Sequence, residues 1–181
     1  MNTILKTGIT LFLICALSSG LCGIVNSITA PLIAANVEKE TLEARQVVSG
    51  GYEIGAGIES DDPLIASIME LTDGGERVGF ELELLGSGYG GEFTIIASYL
   101  LDGTLLEAKM MANGETPGLG KKAEESWYMD MFKGKGGDTP LPGNKNDLDD
   151  PSLVSGASVT FNGVSNALRY GSEFVRNFKE V

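Results

Sequence analysis

No charged side chain stands between Lys6 and Glu38. Within that run, residues 8–25 are almost wholly apolar, close to the ~20 residues that cross the hydrocarbon core of a bilayer as a helix. A cleaved secretory signal has a shorter apolar region of about 7–15 residues. Ser27-Ile28-Thr29-Ala30 is also a poor small-x-small cleavage site. A lipid anchor on Cys22 is disfavoured by the bulky Leu21 before it. The run is therefore expected to be a retained transmembrane helix, with residues 1–35 as the anchor.

The two cysteines, Cys15 and Cys22, both fall inside this stretch. Seven residues apart on a helix they lie about 10 Å apart along its axis, too far for a mutual disulfide. Beyond residue 22 there is no thiol, and histidine is absent throughout. A Ser-His-Asp hydrolase, a His-ligated zinc site and a cysteine-ligated iron–sulfur cluster are excluded, and no metal site is expected. The charge balance is 25 acidic against 13 basic residues, with Lys6 the one basic residue before position 38. The part beyond the anchor is thus strongly acidic, which excludes a nucleic-acid binder and suits a water-facing domain.

Residues 36–60 read as a short helical stalk and a glycine-containing connector, leaving 61–181 as the folded domain. There the hydrophobic period becomes two. Val78, Phe80, Leu82 and Leu84 alternate with Gly79, Glu81 and Glu83, as in a strand with one buried face. Phe93, Ile95, Ala97, Tyr99 and Leu101 repeat the pattern, and Asp102-Gly103 supplies a hairpin turn into residues 104–112. With residues 65–72 this makes an antiparallel meander of about four strands. Helices are expected over residues 122–132 and from about 160 to 178, the latter with Val164, Leu168, Val175 and Phe178 on one stripe. The class is α+β.

Two segments have unusual composition. Gly114-Glu115-Thr116-Pro117-Gly118-Leu119-Gly120 follows the last strand and reads, by itself, as a turn and helix start with Glu115 as the cap. Val154-Ser155-Gly156-Ala157-Ser158-Val159-Thr160 leads into the final helix. Its small residues leave the backbone open, and free N–H groups and the helix dipole favour an anion there. A plain Ser or Thr N-cap satisfies the same residues.

Five motifs in order carry a family resemblance: Asn26-Ser27-Ile28-Thr29-Ala30-Pro31-Leu32-Ile33-Ala34, Gly88-Tyr89-Gly90-Gly91, Glu115-Thr116-Pro117-Gly118-Leu119-Gly120, Phe132-Lys133-Gly134-Lys135, and the Ser155-Gly156-Ala157-Ser158 loop. Together they resemble the G-subunit of the Rnf electron-transport complex and also the related C-subunit of the Na⁺-translocating NADH:quinone reductase. The resemblance implies a single-pass membrane protein with a cytoplasmic N-terminus and an extracytoplasmic FMN-binding domain. Charge bias alone barely discriminates orientation, because Lys39 and Arg45 are diluted by Glu38, Glu40 and Glu43.

The resemblance further implies covalent FMN, joined through its phosphate to a hydroxyl by a flavin transferase, with the other membrane and peripheral subunits as partners. The position of attachment corresponds to Ser158, where the family usually has threonine; Thr160 is the nearest alternative hydroxyl. The family's aspartate six residues earlier is replaced here by Ser152, with Asp149 and Asp150 further upstream. Glu115, Thr116, Gly118, Leu119 and Gly120 correspond to the segment along the flavin ring, and Ser155, Gly156, Ala157 and Thr160 to the phosphate loop. The implied role is an electron carrier in a complex coupling ferredoxin and NAD⁺ chemistry to Na⁺ or H⁺ movement, with no catalytic residue of its own. The alternatives are an anchored structural subunit without covalent flavin and the equivalent subunit of the quinone reductase.

Overall fold

The computed structural model describes residues 2–178; the ends of the expected anchor and domain, residues 1 and 179–181, lie outside the described residues. The chain divides into two compact units, Met1–Leu42 and Glu43–Val181.

Residues 3–42 of the first unit belong to a single helix, α1 (Thr3–Val48), long and apolar enough to cross a membrane. Leu11, Phe12, Leu17, Leu21, Ile24 and Ile28 are all exposed, so this segment is apolar around its circumference. Four of its hydroxyls are satisfied within the helix. The hydroxyls of Thr7, Thr10 and Thr29 donate to the carbonyls four residues back, and Ser27 to the carbonyl three back. A segment surrounded by lipid requires such closure, since no water is available to replace a missing partner.

The second unit is a five-stranded antiparallel meander in sequential order: β1 (Glu53–Ile58), β2 (Ile65–Asp73), β3 (Glu76–Gly88), β4 (Gly91–Leu100) and β5 (Leu105–Asn113). After β5 come the short α2 (Ser126–Asp130) and the long α3 (Ser158–Asn177). One face of the sheet carries Phe80, Leu82, Leu84, Phe93, Ile95, Ala97 and Tyr99. Against them packs α3 through Phe161, Val164, Leu168 and Val175. The Tyr99 hydroxyl donates to the Leu168 carbonyl at 3.0 Å, which fixes the helix along the sheet. Burial holds that phenol well above its ordinary range.

Three differences from the sequence expectation have physical causes. The meander has a fifth strand, β1, in the stretch read as a connector. Gly55 and Gly57 interrupt its alternation, leaving little strand signal, and both the register shift and the glycines mark a bulge against β2. The helix expected over 122–132 is instead a 3₁₀ turn, Gly120–Glu124, then the one-turn helix α2, broken at extended Glu125. Glu81, expected on a solvated face, is fully buried. The end of α1 covers that face of the sheet: Ala44 and Val48 pack on Ile96, and the Ser98 hydroxyl donates to the Val48 carbonyl at 2.5 Å. Arg45 reaches Glu81 at 2.5 Å and Glu83 at 3.1 Å.

Candidate functional site

The site is built where three chain reversals meet. The first is the tip of the β3–β4 hairpin, a two-residue loop of Tyr89 and Gly90 between paired Gly88 and Gly91. The second is the loop after β5, residues 114–120. The third is the entry to α3, where Gly156 takes a left-handed φ of 80° before Ala157 and Ser158. α3 approaches β3 closely because residue 163 is glycine: a Cβ there would collide with the Ser87 carbonyl.

Glu115 joins the three. Its side chain is 3% exposed. Oε1 accepts the Gly90 N–H at 3.2 Å, and Oε2 accepts the Thr160 hydroxyl at 2.9 Å. Two glycines make room for this carboxylate. A Cβ at Gly88 would collide with Oε1, and one at Gly120 with Oε2 while lying 2.8 Å from Thr160 Oγ1. Glu115 is therefore no helix cap, contrary to what its place before the turn suggests. Leu119 precedes the 3₁₀ turn without a side-chain cap.

Between these elements lies a cavity of about 460 Å³, lined by Tyr89, Glu115, Thr116, Leu119, Gly120, Gly156, Ala157 and Thr160. All of these but Tyr89 were expected from sequence, and they come from two loops far apart in the chain. Gly118, Ser155 and Ser158 are not in the lining. Gly118 provides the turn, with φ of 76°, and Ser155 is exposed. Ser158 is the first residue of α3 and half-buried; among the described residues its hydroxyl has no hydrogen-bonding partner. Thr160, by contrast, is buried and committed to Glu115. Tyr89 was missed as a lining residue. Its signal was the Gly88-Tyr89-Gly90-Gly91 motif, in which flanking glycines push an aromatic side chain, 76% exposed, out on a hairpin tip.

The electrostatics of this region have two sources. The first-turn amides of α3 lack intrahelical acceptors by helix geometry and no side chain caps them, so they present an anion-favouring end. Behind Thr160, Phe161 stacks on Phe132 with centroids 5.3 Å apart and meets Tyr128 edge-on at 6.1 Å. Burial raises the Tyr128 phenol strongly, and the charge of Glu115 raises it further.

A larger cavity of about 620 Å³ lies among Pro63, Leu64, Leu85, Glu92, Phe93 and Thr94. It contains none of the residues expected at the site, which gather instead around the smaller cavity. The residues around that smaller cavity fit a phosphorylated planar cofactor: an open small-residue loop at a helix start, a free hydroxyl beside it, and a wall of Leu119 and Tyr89.

Residues 88–173 match the model of the FMN-binding domain, and residues 1–48 match that of the RnfG N-terminal region. Among curated proteins, the chain is 27% identical to the G-subunit of the Na⁺-translocating ferredoxin:NAD⁺ oxidoreductase complex of Acetobacterium woodii, over 99% of this chain and 95% of that protein. It is 29% identical to the G-subunit of the ion-translocating oxidoreductase complex of Escherichia coli K12, over 93% and 89%. Among solved structures, the C-subunit of the Na⁺-translocating NADH-quinone reductase of Parabacteroides distasonis matches with a TM-score of 0.48 and 20% identity, covering 70% of this chain and 75% of that one.

Proposed function

This chain belongs to the RnfG family of ion-translocating oxidoreductase complexes, and from that membership we propose that it carries FMN covalently on Ser158 as the electron-transfer subunit of such a complex. An FMN-binding domain on a membrane-anchored chain accounts for the electron-transfer role. The finer assignment is the phosphoester at Ser158. The observation that supports it is the contrast between two hydroxyls. Ser158 is half-buried, unpartnered among the described residues and at the uncapped start of α3, whereas Thr160 is buried and donates to Glu115.

When bound, FMN supplies one- and two-electron chemistry; the chain supplies place and field. The first-turn amides of α3 would hold the phosphate by their dipoles, and Leu119, Tyr89 and Thr116, which line the cavity, would hold the ring. The electron partners are the other subunits of a ferredoxin- and NAD⁺-linked assembly moving Na⁺ or H⁺, and a flavin transferase loads the cofactor. The anchor lies in residues 1–35, and the extracytoplasmic domain is the second unit, Glu43–Val181, whose first strand comes from the 36–60 stretch read as a stalk and connector. Alkaline carbonate should leave the chain in the membrane pellet, and external protease should digest it beyond residue 36. Protection from external protease would reverse the orientation.

One observation favours a second reading, a structural subunit without covalent flavin. Asp150 accepts from both the N–H and the hydroxyl of Ser152, at 2.9 and 2.6 Å. It is thus occupied as a local cap, while the upstream aspartate that the family usually carries is absent from position 152. Hydrogen bonding from Ser152 holds the Asp150 carboxyl below its ordinary value. Intact mass separates the two. Co-expression with a flavin transferase should add one FMN less water to the wild type and to Thr160→Ala, and nothing to Ser158→Ala. A wild type without added mass beside an active transferase would establish the second reading.

A further inference from the structure

We infer that Glu115 sets the reduction potential of the flavin, acting as a fixed and uncompensated negative charge in the cavity wall. The inference rests on the flavin reading and extends it to a role for one residue.

Of the residues that line the cavity, Glu115 alone carries a charge. Its surroundings hold it in one place and leave it unneutralised. Both oxygens accept hydrogen bonds, from the Gly90 N–H and the Thr160 hydroxyl. Its backbone N–H donates to Asn113 Oδ1 at 3.1 Å, so the main chain is pinned as well. The two groups that donate to the carboxylate are themselves neutral, so neither cancels its charge. Among the described residues no cation pairs with it. Of the two lysines nearest in sequence, Lys121 pairs with Glu124 at 2.9 Å and Lys109 lies in β5 opposite Ile96. Gly88 and Gly120 lie where any side chain would displace the carboxylate. Separate chain segments thus converge to keep one buried charge beside the cavity.

A charge so placed acts on whatever redox group occupies the cavity. Reduction by one electron, or by two electrons with one proton, adds one negative charge to the acceptor. A nearby fixed anion in a partly buried wall opposes that addition more than it would in water. The carboxylate therefore poises the site toward low potential, as a donor of electrons.

The test is redox titration of the full-length flavin-loaded chain in detergent, followed by absorbance, on wild type, Glu115→Gln and Glu115→Asp. Glutamine keeps the shape and can still accept from Gly90. Its potential should move positive by at least a tenfold shift of the reduction equilibrium, about 30 mV for a two-electron couple or about 59 mV for a one-electron couple. Aspartate keeps the charge and should stay near the wild type. Intact mass, measured on each sample, reports loading independently. A loaded Glu115→Gln chain with an unchanged potential overturns the inference while leaving the flavin reading intact. A Glu115→Gln chain that fails to fold or load, where Glu115→Asp does both, overturns it in favour of a structural charge. A wild type that takes no flavin removes the premise, and the inference falls with it.

Discussion

Arg45 in the last turn of α1 offers the sharpest test of how this domain is held together. It is 12% exposed and its partner Glu81 is fully buried, so the pair belongs with buried ion pairs rather than with surface ones. Arg45 also reaches Ser67 Oγ at 2.7 Å and Glu83 at 3.1 Å. Replacing it with methionine fills similar volume but leaves Glu81 without its counter-ion, and such an unpaired buried charge costs about 3–5 kcal/mol.

The cost has a predictable pH dependence. Burial raises the Glu81 carboxyl above 4.5; Arg45 pulls it down by charge and by hydrogen bond, and Glu83 pushes it up again. An acid whose folded value is raised binds its proton more tightly when folded. Its burial therefore costs nothing below the unfolded value and the full amount above the folded one. Removing Arg45 removes both downward influences, so the folded value climbs further. The Arg45→Met deficit should be greatest at neutral and higher pH and shrink as pH falls toward the ordinary carboxylate range. Urea unfolding in detergent, followed by the fluorescence of Trp127, the one tryptophan of the chain, measures it. The double variant Arg45→Met/Glu81→Met should recover to within about 1 kcal/mol of wild type, because an apolar pair of similar volume replaces an ion pair at little cost. A deficit below about 1 kcal/mol at pH 7, or one that does not change with pH between weakly acidic and neutral solution, would refute the reasoning.

Gly120→Ala should cost about 1–3 kcal/mol by driving its Cβ into Glu115 and Thr160, whereas Gly118→Ala, at positive φ but in open space, should cost about 1 kcal/mol; equal losses in thermal melts would show that the carboxylate seat is not tight. The same Gly120→Ala chain, once loaded, should differ in potential from the wild type, because the carboxylate is displaced from its seat. An unchanged potential would place the effect elsewhere.

Strands with clean alternation, such as the one through Phe80, Leu82 and Leu84, were legible in sequence because one face is buried against α3. β1 was not, since Gly55 and Gly57 supply no side chains to alternate. The burial of Glu81 was illegible for a different reason: period two states that Glu81 opposes Leu82, but not that the end of α1 covers the opposing face. The site was legible as two loops and illegible as one assembly. Glu115 was read as a cap because capping is local, while its actual donors, Gly90 and Thr160, lie 25 and 45 residues away.

Among the described residues two carboxylates are buried, and they are treated oppositely. Glu81 sits under α1 with a guanidinium in contact, as a buried charge requires if it serves only the fold. Glu115 receives an amide and a hydroxyl but, among the described residues, no cation. Neutral donors compensate an anion less completely than a cation does, so retaining it unpaired leaves an electrostatic field where the lining opens to a cavity. The glycines at 88 and 120 fit this difference. A purely structural carboxylate could be replaced by an apolar side chain with ordinary neighbours, yet here the neighbours have been reduced to hydrogen atoms to admit it. The concentration of glycine in the loop segments, which in sequence reads simply as turns, is thus in part the space that one charge occupies. A field held this rigidly costs no reorganisation when an electron arrives or leaves, which is the property an electron-transfer site needs from its protein.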